Sequence, residues 1–275
     1  MISIVILLFG LVIGSFLNVC IVRLPRGRSI ANPASHCPRC RTPIRFYDNI
    51  PIISFLLLRG KCRSCGEPIS WRYPIVELLN GILYLWIVNE FGLSGEAVLL
   101  MAFCSSLIVI TFIDFDHQII PDVITMPGML IGLLLAPFFM YPLTDQLPFH
   151  IDRLLPHAGP YLVAFMNSLI GLVLGGGPLL AIGWIWEKLR HIEAMGGGDV
   201  KLMGMVGSFL GWKCALLTIM LGAVVGSVVG ILLILLKQHK MEKVIPFGPF
   251  LALGAVIAAF YGFDIISWYL GLIRI

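Results

Sequence analysis

The chain has 275 residues, of which 59% are hydrophobic and 12% are charged, and its formal net charge at pH 7 is +4. This composition excludes a soluble domain with a single membrane anchor, because it is typical of a chain whose surroundings are mostly lipid. The length allows about eight membrane spans of roughly 20 residues each and one sizeable loop. We therefore expect an all-α polytopic membrane protein.

The first predicted element is a transmembrane span over residues 1–22. No positive charge precedes it and it is longer than a signal-peptide core, so we interpret it as a retained span. A basic loop over residues 23–72 follows, and seven further apolar segments complete the chain. We predict spans at 73–91, 95–113, 123–141, 161–186, 200–210, 214–236 and 247–270, of which the sixth span, 200–210, is short and rich in glycine.

The distribution of Lys and Arg predicts the orientation of these spans, because basic loops stay cytoplasmic. Ten of these residues lie between positions 23 and 72, three between 188 and 201, and three between 237 and 243. With eight crossings the three loops share one face, and Arg153, Lys213 and Arg274 remain for the other. The positive charge is thus explained by topology and by attraction to the lipid bilayer, and we expect no nucleic-acid partner.

Two CxxC pairs lie in the basic loop, with 21 residues between them. Each pair can direct two sulfurs at one tetrahedral ion, which predicts a zinc site formed by Cys37, Cys40, Cys62 and Cys65. Four protein ligands leave no position for water, so the zinc is expected to be structural. The alternatives are two disulfides, which a cytoplasmic loop disfavours, and replacement of one ligand by the adjacent His36.

Acidic residues stand at the predicted cytoplasmic ends of two spans. Asp114 ends the third span, and Asp199 directly follows three glycines, Gly196, Gly197 and Gly198. Two carboxyls a few ångströms apart share one proton, so that one acts as base and the other as acid. That arrangement suits hydrolysis of a peptide bond. The glycines would let an extended substrate backbone approach Asp199.

Other residues near these acids have two interpretations each. Asp122 begins a span, where a capping role is expected, and Asp116 either tunes Asp114 or faces water. Lys201 either stabilises the ionised form of Asp199 or is an ordinary lysine at a cytoplasmic helix end. The run 175–178 (GGGP) inside the fifth span is expected to be a packing or kink site, since no strand precedes it as a nucleotide loop requires.

Together these motifs resemble the type IV prepilin peptidases, which belong to the GxGD class of membrane aspartyl proteases. The resemblance covers nearly the whole chain, through GSFLNVCIVRLP at 14–25, the paired CxxC, SWRYPIVELLNG at 70–81, IDFDHQIIPD at 113–122 and GGGDVKL at 196–202. It implies that Asp114 and Asp199 are the catalytic pair. It also implies a seven-span protease domain at 73–275 and a link between the N-terminal region, with the zinc-binding loop domain at 23–72, and methyl transfer.

The resemblance implies two activities at the cytoplasmic face of the bacterial inner membrane. The first cuts the short basic leader of type IV prepilins or type II secretion pseudopilins after a glycine. The second N-methylates the new amino terminus with S-adenosylmethionine. For the methyl-transfer site the sequence points to Glu77, an acid within a span, with Gly81 one turn on. The alternative is that Arg72 merely neutralises Glu77.

Three other functions remain compatible with the sequence. A member of the same family that only cleaves would carry the same acids. A proton-coupled transporter would also use acids within the membrane, but the two halves of this chain do not resemble each other. A zinc-organised scaffold would need the cysteines and neither Asp114 nor Asp199.

Overall fold

The computed structural model describes residues 2–139, 159–190, 196–236 and 245–273. These residues form eight α-helices and two short 3₁₀ turns, and within them no β-strand occurs, so the all-α prediction is confirmed. The helices are α1 (Ile2–Arg23), α2 (Ile53–Leu57), α3 (Arg72–Phe91), α4 (Gly95–His117), α5 (Asp122–Phe139), α6 (Pro160–Arg190), α7 (Gly197–Leu235) and α8 (Gly248–Ile273).

Seven helices in the described ranges, all except α2, are long and apolar enough to cross a membrane, as a multi-pass protein requires. The sequence predicted eight, and the difference lies in α7, which is 39 residues long and contains both 200–210 and most of 214–236. Five of the basic residues on which the predicted orientation depends lie outside the described residues, namely Arg153, Lys237, Lys240, Lys243 and Arg274.

Helix α7 is interrupted at Gly211, whose φ of 77° and ψ of 170° are not helical. A Cβ built on Gly175 of α6 would lie 2.2 Å from the carbonyl oxygen of Met203 and 3.4 Å from Cβ of Ala215. Those two atoms are therefore at most about 6 Å apart, whereas 12 residues of straight helix rise about 18 Å. The chain thus turns back at Gly211, and 197–210 and 212–235 are two arms of a helical hairpin, with the break where the sequence predicts a boundary.

The chain divides into two compact units, residues 1–113 and 114–275. In the first unit α1 packs closely on α3 through glycines. A Cβ built on Gly10 would lie 2.8 Å from Cα of Gly81, and one built on Gly14 would lie 2.6 Å from Cα of Glu77. Such backbone contact is how helices associate in lipid, where apolar burial supplies no driving force between them.

In the second unit α6 packs on the first arm of α7. A Cβ built on Gly171 would lie 2.1 Å from the carbonyl oxygen of Gly207, and Gly175 and Gly176 approach the backbone of the same arm. The expected packing role of the 175–178 run therefore holds for its first two glycines. These contacts leave no room for side chains, and they fix the arm whose first turn carries Asp199.

Candidate active site and metal centre

Asp114 lies in the last turn of α4 and is 5% exposed. Its Oδ2 accepts a hydrogen bond from the backbone N–H of Gly248, the first residue of α8, at 3.0 Å. A Cβ built on Gly248 would lie 2.7 Å from the same oxygen, so a side chain there would displace the carboxyl. Sequence reasoning missed Gly248; the available signal was a glycine between Phe247 and Pro249 at the start of an apolar span.

Asp199 lies in the first turn of α7 and is partly exposed. Its backbone N–H donates to the carbonyl oxygen of Gly196 at 3.1 Å, which closes the turn that begins the helix. The Asp114 carboxyl and the first turn of α7 meet around one side chain, Ile120, which approaches both Gly198, next to Asp199, and Gly248, which binds Asp114. The structure therefore brings together the two acids that are 85 positions apart in the chain.

Ile120 contacts the first turns of two helices, α7 at Gly198 and α8 at Gly248. A Cβ built on Gly198 would lie 2.9 Å from Cβ of Ile120, and one built on Gly248 would lie 3.3 Å from its Cδ1. By contrast, Gly196 and Gly197 are exposed, and a Cβ on Gly197 would meet nothing within 4 Å. The three glycines before Asp199 thus differ, because Gly198 is needed for packing while the other two leave open space beside the acid.

Lys201 pairs with Asp122, not with the acid two residues before it. Its Nζ donates to both carboxylate oxygens of Asp122, at 2.8 and 2.7 Å. Both side chains are partly exposed, so the pair contributes little stability, about 0–1 kcal/mol. It connects the start of α5 to the first turn of α7, and hence to the turn that carries Asp199. Asp116 is exposed.

The four cysteines of the loop form one cluster in which all the sulfur atoms lie within 4.8 Å of one another. Sγ of Cys37 and Sγ of Cys65 are 3.9 Å apart. A tetrahedron of thiolates at the Zn–S distance of about 2.3 Å has edges of about 3.8 Å, so these residues fit a metal ion of that kind. None of the four is in a disulfide, and Nδ1 of His36 is instead within hydrogen-bonding distance of the Ala34 carbonyl oxygen.

The two CxxC turns have the same backbone pattern. The N–H of Cys37 donates to the carbonyl oxygen of Thr42, and the N–H of Cys62 donates to that of Glu67. The residue after the second cysteine of each turn has a positive φ, 59° at Arg41 and 71° at Gly66. The first turn thus places an arginine where the second has the glycine that this conformation favours.

The thiols of the cluster have strongly divergent acidities. Hydrogen bonding with Thr42, through its side chain and its backbone, lowers the pKa of Cys40 to about 6. The backbone of Glu67 stabilises the Cys65 thiolate, but desolvation and hydrogen bonds to the other three cysteines outweigh it and raise the pKa of Cys65 to about 12. Four thiolates therefore require a cation to offset their charge, and its binding releases protons.

The connector between the CxxC turns is attached to the second turn by an ion pair. Nε and one terminal nitrogen of Arg63 donate to the two oxygens of Asp48, at 2.8 and 2.6 Å. These hydrogen bonds from Arg63 lower the pKa of Asp48 below its usual value. The fork geometry gives the pair direction as well as charge.

Glu77 and Gly81 both lie where α3 packs on α1. Glu77 is 7% exposed, and its Oε2 accepts a hydrogen bond from the backbone N–H of Ile52 at 2.8 Å. Gly81 is covered by Leu7 and Leu11, whose side-chain atoms would lie 3.2 and 2.8 Å from a Cβ built there. The backbone donor to Glu77 could not be found from sequence, since any residue can supply an N–H.

Comparison with known proteins gives two family matches. Residues 8–91 match the family described as Bacterial Peptidase A24 N-terminal domain, and residues 101–231 match the Type IV leader peptidase family. The first match contains the cysteine cluster and Glu77, and the second contains Asp114 and Asp199. No solved structure matches the chain.

Several similar proteins are named prepilin leader peptidase/N-methyltransferase. The one from Stutzerimonas stutzeri is 34% identical over 98% of this chain and 94% of its own length. The one from Aeromonas hydrophila is 37% identical over 96% of this chain and 92% of its own length. The one from Myxococcus xanthus is 40% identical over 82% of this chain, which spans 61% of that protein.

Proposed function

The chain belongs to the type IV leader peptidase family, as its motifs predicted, and we propose on that premise that it cleaves prepilin leaders and then N-methylates the new amino terminus. The substrates are type IV prepilins or type II secretion pseudopilins, cut after a glycine. The observation that carries the proteolytic half is the meeting of the helix ends that bear Asp114 and Asp199 around Ile120 and Gly248. The methyl-transfer half rests on the relatives named for both activities.

The two carboxyls divide the chemistry of peptide hydrolysis. Two carboxyls that serve one site share one proton, so one accepts a proton from water while the other protonates the carbonyl oxygen and then the leaving amine. Because the Gly248 N–H donates to Oδ2 of Asp114, that oxygen is the better acceptor in its unprotonated form, which favours Oδ1 as the oxygen that carries a proton. Gly248 therefore orients one member of the pair.

The substrate approaches along the exposed side of the glycine run. Gly196 and Gly197 leave space beside Asp199, so an extended backbone carrying the scissile bond can lie next to the acid. The site faces the cytoplasm of a bacterial inner membrane, because the basic loop at 23–72 and the basic residues near 188–201 stay on that face.

Two small groups support these activities. The four cysteines hold one zinc ion, which fills a closed site and therefore stabilises the loop without entering the chemistry. S-adenosylmethionine supplies the methyl group and carries its own leaving group. For this cationic donor Glu77 offers a buried carboxyl group, one oxygen of which also accepts the Ile52 N–H, and Gly81 lets α1 support that part of α3.

The test uses purified protein, a prepilin, and mass measurement with and without S-adenosylmethionine. We expect loss of the leader in both cases and addition of one methyl group only with the donor. Asp114→Asn and Asp199→Asn should prevent leader loss, while Asp264→Asn, an exposed acid of α8, serves as the matched control. Leader loss without methylation would show a family member that only cleaves, and normal cleavage by either Asn variant would refute the catalytic pair.

A further inference from the structure

The connector between the two CxxC turns folds back along two membrane spans. The Ile52 N–H reaches Glu77, which lies five residues into α3 and therefore about 7.5 Å from its first residue. At the same level Gly14 of α1 contacts Glu77, nine residues before the end of that helix, or about 13 Å along it. Ile52 thus lies alongside the middle turns of α1 and α3, not beyond the ends of these helices.

The other end of this segment lies near the start of α3. The Phe55 ring packs on the ring of Trp71, with centroids 4.8 Å apart, and Trp71 directly precedes α3. Tryptophan is favoured at the membrane–water interface. Helix α2 therefore extends from the level of Glu77 to the level of Trp71, a depth that matches the boundary between lipid headgroups and acyl chains.

Helix α2 buries its polar side chain and exposes most of its apolar ones, the reverse of what is expected for a segment in water. Its polar residue, Ser54, is buried and donates to the Tyr47 carbonyl oxygen at 2.9 Å. Its apolar residues Ile53, Leu56 and Leu57 are 51%, 64% and 78% exposed. Exposure of aliphatic side chains beside a satisfied, buried hydroxyl indicates an apolar medium outside the helix.

The turn before α2 is strained. Ile52 has φ of 60° and ψ of −50°, which a β-branched residue rarely adopts, and the next N–H bonds back to the carbonyl oxygen of Pro51. Such a conformation persists only where surrounding contacts impose it. The buried Glu77 carboxylate supplies that contact, and the turn directs α2 along the helices.

We propose that residues 50–58 are seated in the lipid headgroup–acyl boundary, with Ile53, Leu56 and Leu57 among the acyl chains and Glu77 as the clasp that holds the segment there. Arg45, Arg59 and Lys61 flank it and are exposed, which suits anionic headgroups. The same charges would repel the basic leader of a prepilin, so lipid fits this surface better than the substrate does. The inference rests on the membrane spans, and only the choice of lipid over a prepilin leader draws on the proposed function.

The test places a fluorescent amino acid at position 57 of the full-length protein in vesicles of phosphatidylethanolamine and phosphatidylglycerol. Lipids with a nitroxide near the top of the acyl chain report lipid contact, and iodide reports water. The matched control carries the same probe at position 67, an exposed residue of the second CxxC turn. We expect nitroxide quenching several-fold stronger at 57 than at 67, and iodide quenching several-fold weaker.

Two further measurements separate lipid from other occupants. Glu77→Ala removes the acceptor for the Ile52 N–H, so iodide quenching at 57 should rise toward that at 67. Adding a prepilin should leave the quenching at 57 unchanged. The proposal is wrong if iodide quenches both positions equally in the otherwise unmodified protein, or if position 57 becomes shielded only when prepilin is present.

Discussion

The backbone N–H of Gly248 donates to Oδ2 of Asp114 across 134 positions of the chain. The donor is the first residue of α8 and the acceptor lies near the end of α4. A backbone amide cannot rotate away as a side chain can, so this carboxyl is held by the fold itself. Its position therefore depends on the absence of a side chain at Gly248.

We predict that Gly248→Ala lowers kcat for leader cleavage by about 100-fold, because a displacement of about 1 Å in a catalytic group has an effect of that size. Methylation of a pre-cleaved pilin should be unaffected. Gly271→Ala in the same helix is the control, since a Cβ there meets nothing within 4 Å. The rate of leader loss is followed by mass spectrometry. Equal kcat values for the two variants would contradict the positioning role.

Asp114→Asn and Asp199→Asn should each reduce leader cleavage by several orders of magnitude, because both keep the shape but prevent proton exchange. The double variant should be little worse than either single one, as for residues that act as a unit. Methylation of a pre-cleaved pilin should survive in both single variants. If methylation is lost together with cleavage, the two activities share residues.

Metal analysis should find one zinc per chain, and Cys37→Ser should lose it, because a closed site needs all four thiolates. His36→Ala is the matched control and should retain the metal, since that ring lies outside the cysteine cluster. Cysteines oxidised in pairs in metal-free protein would contradict the prediction.

Arg41→Gly should slow zinc loss to a chelator, because glycine relieves a left-handed conformation that costs an L-residue about 1–2 kcal/mol. Gly66→Ala, at the equivalent position of the second CxxC turn, should accelerate that loss. The test is that the two substitutions change the rate of zinc loss in opposite directions. Acceleration by both changes would mean that the positive φ at Arg41 is not a source of strain in the metal-bound loop.

The Asp48–Arg63 pair predicts the pH range over which it stabilises the loop. Arg63 lowers the pKa of Asp48 in the folded loop, so its stabilisation is complete above the unfolded value of about 3.9 and is lost as pH falls below it. The ratio of chelator-driven zinc-release rates between Asp48→Asn and the unmodified protein should therefore exceed one and stay constant from about pH 6 to about pH 8. A ratio that changes across this range would mean that a group other than the Asp48 carboxyl controls the effect.

The cysteine cluster and the approach of the two acids could be predicted from sequence, because each depends on side-chain chemistry that the motifs display. Charge counting predicts that Asp114 and Asp199 lie at one membrane face. The Gly248–Asp114 and Ile52–Glu77 bonds could not be predicted, since their donors are backbone amides that no residue type marks. The Lys201–Asp122 pair was also missed, because the sequence offered only Asp199 or water as surroundings for Lys201, and Asp122 is 79 positions away.

The hairpin turn at Gly211 has a consequence for the lipid around the acids. The arm from Gly197 to Leu210 has 14 residues and measures about 21 Å, whereas the hydrocarbon layer is about 30 Å thick. A span this much shorter than the hydrocarbon layer is accommodated by local thinning of the bilayer, by snorkelling of flanking residues or by association with other helices. Where the bilayer thins around this arm, headgroups and their hydration lie nearer to Asp199, so a short span would ease the access of the water that peptide hydrolysis consumes.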